Sequence, residues 1–241
     1  MKRSEVNQHI DEAIAFITGA GITLPPHATW TLETWYENQD AAEEMRKRVV
    51  GWNITDFGFG DFYKRGIVMY TPSNGIMDPE TYKPVDQEYA HRYFILREGQ
   101  QIETEHHLTK IEDIVVFAGG QFEVQLHNAG PNDELDTETD VRIMRNGIWE
   151  TYSPGTIITL VPGERIRFEP RHYHRPMGKG GKVLLEEVSD VTDDLKENCH
   201  LPGTKPMVFS EIEEDEKPKY LLATELPGTP KFETLVKMYL K

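Results

Sequence analysis

Between Gly99 and Gly119 the chain reads GQQIETEHHLTKIEDIVVFAG, and the side chains capable of chemistry crowd into its middle. Glu105 and His107 are two residues apart. In an extended strand such residues share a face, while His106 between them faces the other way. A turn at about 108–111 brings in a second strand beginning at Glu112. An antiparallel neighbour can return that carboxylate to the face held by Glu105 and His107. A distant stretch, Glu169-Pro170-Arg171-His172-Tyr173-His174, offers two more imidazoles at the same spacing, one of which completes the set. Imidazole and carboxylate together suit a divalent first-row ion such as Mn(II), Fe(II) or Zn(II). Two carboxylates match the charge of such an ion and favour Mn(II) or Fe(II) slightly. His91, His106, His127 and His200 read as ordinary polar residues, and His172 as a neighbour of the site.

Those residues must be carried by strands. Residues 1–50 read as a helical N-terminal extension. Val6, Ile10, Ala13, Ile14 and Ile17 follow a 3.6-residue stripe with Ser4 as its N-cap, and a second helix runs from a Thr31 cap to about Val49. From 51 to 200 the signal is short strands with Gly/Pro turns: about 62–70, 89–97, 101–107, 112–117, 121–127, 141–145, 148–152, 156–160, 164–169 and 182–188. Asn146-Gly147 reads as a tight hairpin turn. Many short strands without intervening helices predict an antiparallel barrel or jelly roll. Residues 132–140 read as a solvated loop. Residues 201–241 read as a tail packed on the barrel, with a short helix from Phe232 to Leu240.

Composition narrows the class. The chain has 241 residues, 38% hydrophobic and 28% charged, enough apolar material for a core. Twenty-six Lys+Arg stand against 41 Asp+Glu, a net charge of -15. So acidic a surface repels nucleic acid and anionic membrane, and the expected partner is a small molecule. One cysteine, Cys199, excludes an internal disulfide framework and a cysteine-based zinc site. The polar start has no secretory apolar segment, and no run reaches the roughly 18–20 residues that span a bilayer. The expected setting is the cytoplasm.

The spacing G-x5-E-x-H-x4-E-x6-G, from Gly99 through Glu105, His107 and Glu112 to Gly119, resembles the first cupin motif, with Glu105 where that family places a histidine. Pro162-Gly163 followed by Pro170-Arg171-His172-Tyr173-His174 is similar to the second motif, with Arg171 in place of glycine. More narrowly, the chain resembles the D-lyxose isomerase family of cupins. The carrying segments are GWNITDFGFGDF (51–62), REGQ (97–100), K-x-E-D-I (110–114), VPGERIRFEPRHYH (161–174), KVLLEEVSDVTDDLKEN (182–198) and EIEEDE (211–216). The resemblance implies a mainly β cupin jelly-roll barrel, a divalent ion (most often Mn(II)) and a homodimer. It implies interconversion of D-lyxose and D-xylulose, with D-mannose and D-fructose as a further pair. Its ligand positions fall on Glu105, His107, Glu112 and His174, its catalytic pair on Lys110 and Glu187, and a substrate-hydroxyl contact on Asp194. Where the family usually reads N-R-F, this chain has Asn198-Cys199-His200.

Such an isomerisation moves one proton between C2 and C1 and another between the adjacent oxygens. Glu187 is the expected base over the carbon edge and Lys110 its cationic partner. Adjacent Glu186 and Glu187 cannot both face inward. A hydride shift is the competing route. Two other readings use the same residues: a non-haem Fe(II) dioxygenase built on His107, Glu112 and His174, and a non-catalytic sugar- or metal-binding cupin.

Overall fold

The computed structural model describes residues 1–201 and 211–241. Residues 202–210, the first part of the expected C-terminal tail, lie outside the described residues. Helix α1 (Arg3–Gly19) buries Val6, Ile10, Ala13 and Ile17, the stripe legible in the sequence. Its cap differs from expectation. Lys2 is the N-cap, its N–H held by the Glu5 carboxylate at 2.7 Å. Ser4 lies inside the helix and hydrogen-bonds Asp215 instead. The expected 31–49 helix is broken. Thr31 does cap α2 (Leu32–Glu37), but a 3-10 turn (Gln39–Ala41) separates it from α3 (Ala42–Lys47). The Asn38 amide donates to the Thr34 carbonyl at 2.8 Å, a side-chain bond that competes with the helical ladder.

Twelve strands follow among the described residues: β1 (Gly51–Thr55), β2 (Ile67–Ser73), β3 (Tyr89–Leu96), β4 (Glu105–His107), β5 (Glu112–Ala129), β6 (Leu135–Asp136), β7 (Val141–Arg145), β8 (Ile148–Tyr152), β9 (Ile157–Leu160), β10 (Arg165–Phe168), β11 (His172–Asp190) and β12 (Asn198–His200). β1 was not expected. It is buried on both faces, so it lacks the exposed-polar alternation that marks a strand in sequence. β2 starts at Ile67, with Phe62 in the preceding loop. The expected strands at 112–117 and 121–127 are one strand, as are the regions around His174 and 182–188. Gly119 permits this continuity: a Cβ there would lie 2.2 Å from the Lys182 carbonyl oxygen. The register shift between Lys179 and Val183 sits against that glycine. The Asn146-Gly147 hairpin joins β7 to β8 with both residues at positive φ, as its type requires.

The strands pair antiparallel in the order β1-β2-β3-β11-β5-β10-β7-β8. β4 joins β11 and β12, while β6 and β9 join β5. The fold is mainly β and jelly-roll-like, although this hydrogen-bonded path does not close on itself. Alternation sorts the side chains. Ile67, Met69, Leu96, Val116, Val124 and Leu185 fill the interior, while Trp52, Ile54, Val68 and Tyr70 face outward onto α1. The segment after residue 210 packs on α1, where the Arg3 N–H reaches the Glu213 carbonyl at 2.8 Å. Helix α4 (Pro230–Tyr239) packs with α2 through Phe232, Leu235, Leu32 and Trp35. The 132–140 loop contains β6, and its Asp133 pairs with Arg171 at 3.1 Å. Among the described residues no helix is long and apolar enough to cross a membrane.

Candidate active site

β4 turns Glu105 and His107 inward, and the ladder sets Glu105 opposite His174 on β11. The two distant stretches therefore meet. One donor atom each from Glu105, His107 and His174 lies within 4.8 Å of the others. Glu112 opens β5 opposite Ser189, with its two oxygens 3.2 Å from His107 Nε2 and 3.5 Å from His174 Nε2. Of the pair left open by spacing, His174 is the inward one. Its ring stacks on Phe168 at 4.3 Å, and its Nδ1 lies 2.9 Å from the His172 carbonyl. A proton on that nitrogen leaves Nε2 with a lone pair facing the cluster. His172 receives the Glu169 N–H on Nδ1, and burial pushes it down to about 4.

The donor set fits a divalent cation. His107 is buried, and neither ring nitrogen has a hydrogen-bond partner of proper geometry. Unpartnered buried polar atoms are costly unless something meets them. Burial first, then the Asp194 carboxylate, push the Glu105 carboxyl up to about 8 against the pull of Lys110. Asn198 Nδ2 donates to Glu105 Oε2 at 3.1 Å, and His200 Nδ1 stands 3.5 Å from the same oxygen. His200, expected to be an ordinary polar residue, is thus a neighbour of the cluster because β12 pairs it directly with Glu105. His91 meets Glu186 at 2.9 Å, and His106, turned away from Glu105 and His107 as expected, is buried edge-on to Tyr173 at 4.6 Å.

Lys110 is only 1% exposed, although it lies in a turn. Buried Glu197 anchors that turn by accepting the Thr109 N–H at 3.0 Å and its hydroxyl at 3.1 Å. Lys110 Nζ sits 2.8 Å from Glu112 and 3.5 Å from Glu187. Burial opposes the charge on Lys110, but Glu112 and then Glu187 raise its pKa. Burial likewise works against the Glu112 anion, yet Lys110, then His107 and His174, hold it well below the usual carboxylate range. Glu187 points inward and Glu186 outward, as alternation requires.

Arg92 escaped the sequence reading. It lies opposite Glu187 in the β3–β11 ladder, donating to it at 3.1 and 2.8 Å and to Asp194 at 2.9 and 3.0 Å. Its signal was weak: Tyr93 and Ile95 are apolar as well as Phe94 and Leu96, so alternation does not say which face Arg92 takes. Asp194 also accepts the Thr192 hydroxyl at 3.1 Å, and Arg92 then Lys110 hold its carboxyl down against burial. The cluster contains four carboxylates (Glu105, Glu112, Glu187, Asp194) and two cations (Lys110, Arg92). Fully ionised, it carries a formal charge of -2, which one divalent ion offsets.

Comparison with known proteins gives this arrangement its context. Residues 1–226 match the family model described as D-lyxose isomerase. The chain is 36% identical over 228 residues to a D-lyxose/D-mannose isomerase of Serratia proteamaculans, covering 93% of this chain and 97% of that protein. It is 31% identical over 228 residues to the D-lyxose/D-mannose isomerase of Escherichia coli O157:H7, covering 93% and 98%. In fold it is similar to the L-ribose isomerase of Acinetobacter sp. DL28 (TM-score 0.56, 14% identity, 88% of this chain and 98% of that one). The L-ribose isomerase of Cellulomonas parahominis is comparable, with a TM-score of 0.57, 13% identity and the same coverage. Matched over nearly its whole length, the chain belongs to the D-lyxose isomerase family and is an aldose–ketose isomerase.

Proposed function

We propose that this enzyme interconverts D-lyxose and D-xylulose, and D-mannose and D-fructose, as free sugars with the help of a divalent cation. The observation that carries the cation is the buried meeting of Glu105, His107 and His174, with donor atoms within 4.8 Å of one another, inside a cluster richer in carboxylates than in cations. Glu105, His107, Glu112 and His174 would hold it. When bound, the ion supplies positive charge beside two adjacent sugar oxygens. Mn(II), a homodimer and a cytoplasmic setting belong to the same reading through the family resemblance.

The chain's own groups supply the proton chemistry. Glu187 takes the proton from C2 and returns it to C1. Arg92 on one side and the Ser189 hydroxyl at 2.7 Å on the other fix its carboxylate, so its aim does not depend on substrate. Lys110 shuttles a proton between O1 and O2 from its place beside Glu112 and Glu187. Both Asp194 oxygens accept from Arg92 and Oδ1 also accepts from Thr192, so the second lone pair of Oδ2 is the acceptor left for a sugar hydroxyl. An Fe(II) oxygenase built on His107, Glu112 and His174 would give buried Lys110 and Glu187 no task.

The test is a panel of free aldoses offered to chelator-stripped protein with and without Mn(II), read as the partner ketose. D-Lyxose and D-mannose should turn over only with the ion. Glu187→Gln should lower kcat by about 10²–10⁴-fold, the usual worth of a general base. Failure of every aldose with Mn(II) would contradict the proposal.

A further inference from the structure

The cavity over the cluster is small. It measures about 60 Å³, and Phe57, Phe94, Phe122 and Leu185 are among the side chains that line it. Space so limited beside the cluster favours the reacting end of the sugar, and the rest of the chain needs room beyond it. A second cavity of about 200 Å³ adjoins the first, sharing Met69, Arg92 and Asp194 with it. We propose that this outer cavity is the subsite for the hydroxylated tail of the open-chain sugar, and that Asn53 and Thr71 read that tail. This rests on the isomerase reading above and adds the part of the site that distinguishes chain length.

The wall has the right chemistry. In the β1–β2 ladder Asn53 pairs with Met69 and Gly51 with Thr71, so Asn53 and Thr71 share the inward face. Both are more than nine-tenths buried and both line the outer cavity. Asn53 Oδ1 has no hydrogen-bond partner. A buried acceptor without a donor asks for one from a ligand, and a sugar hydroxyl supplies it. The fixed polar groups at the junction point the same way: Arg92 and the Asp194 carboxylate that accepts from it line both spaces. A phosphorylated tail finds no clamp here. The two rim cations are already neutralised, Lys47 by Glu43 and Glu44 at 2.9 Å and Arg48 by Asp86 at 3.1 Å and Glu44 at 3.4 Å. Asp193 on the same wall is likewise paired, with Lys196 at 3.1 Å, so the wall presents no unpaired cation to a phosphate.

The experiment compares Asn53→Leu and Thr71→Val with the unaltered enzyme on D-erythrose, D-lyxose and D-mannose, each with Mn(II). Thermal unfolding establishes that each variant is folded. Calorimetric binding of D-mannitol gives a readout free of chemistry. A lost hydrogen bond in a buried site predicts that kcat/KM for D-mannose falls about tenfold, mainly through KM. The loss should shrink for D-lyxose and be smallest for D-erythrose, and mannitol should bind about tenfold more weakly. Thr71→Val removes one hydroxyl at constant volume and should reproduce the ranking at about threefold, which tests the subsite even if Asn53→Leu does not fold. Equal losses on all three sugars, or a mannose 6-phosphate preferred over mannose, would overturn the subsite and leave the isomerase reading standing. No turnover of any aldose by the unaltered enzyme would overturn both.

Discussion

Two clusters of charge are buried in this molecule, and they are built to opposite specifications. Where α1 meets the C-terminal segment, Arg3 is completely buried. Its guanidinium donates to both oxygens of Glu214 at 2.8 Å and to both of Glu225 at 3.0 and 2.5 Å. Lys231 adds a second cation to Glu214 at 2.6 Å. Two carboxylates face two cations, and each Arg3 donor in that set has an acceptor. The cluster at the inner end of β4, β5 and β11 has four carboxylates, two cations and the His107 ring, whose approach to Glu112 at 3.2 Å lacks hydrogen-bond geometry. The first is closed and ties the chain's two ends together. The second is open, and its shortage of positive charge leaves room for an ion. Burial of charge therefore does not by itself mark function; incomplete pairing does.

Removing a group from each cluster should give opposite signatures. His107→Ala takes one face off the open cluster. Activity with Mn(II) should fall by about 10³-fold or more, since a bound cation supplies several kcal/mol of charge stabilisation. The melting temperature of the ion-free protein should fall only modestly and by less than that of Arg3→Met, because the lost ring leaves a cavity beside Glu112 but strands no charge. Arg3→Met strands Glu214 and Glu225 without their shared cation. Denaturant unfolding should show a loss of about 3–5 kcal/mol, while kcat/KM per folded molecule stays within about twofold. An Arg3 variant that loses activity but keeps its stability would erase the distinction.

Arg92 sharpens the comparison, because its pairing is closed while its partners are the proposed base Glu187 and the proposed sugar contact Asp194. Arg92→Lys keeps the charge but loses the fork that holds Glu187 and Asp194 together. We expect kcat to fall about 10–100-fold and the pH–rate profile to shift, with little change in ion stoichiometry. A purely structural Arg92 would lower stability and leave the pH profile in place.

The smallest expected effect lies at His9, on α1 away from both clusters. It stacks on Phe62 at 4.3 Å, and its Nδ1 faces Arg97 at 2.9 Å. Burial first, and Arg97 next, push it down to about 4, with Glu12 and Glu5 opposing and Lys182 assisting. A histidine with a depressed folded pKa binds its proton more readily once unfolded. Its contribution to stability is therefore present above about pH 6.5 and is lost as pH falls toward about 4. The melting temperature of His9→Gln should fall less steeply across that window than that of the natural protein. Parallel curves would contradict the assignment.

Much of the open cluster was legible in sequence because strand alternation is a strict rule. The two-residue spacing of Glu105 and His107 put them on one face, and adjacency made Glu186 and Glu187 diverge. What alternation cannot supply is which strands lie side by side. Arg92 met Glu187, and His200 met Glu105, only through ladders between segments about 95 residues apart, a separation no local pattern encodes. Helix details failed for a different reason. Ser4 and Thr31 are both good caps by type, but Asp215 drew Ser4 into a long-range bond while Thr31 was left to cap. β1 was hidden by being buried on both sides, and the same burial places Asn53 where a ligand could reach it.

The most direct test of the open cluster is calorimetric titration of chelator-stripped protein with Mn(II). One ion per chain should bind, and binding should vanish in His107→Ala. A folded natural protein that takes up no Mn(II), or a His107→Ala variant that binds it equally well, would contradict the account.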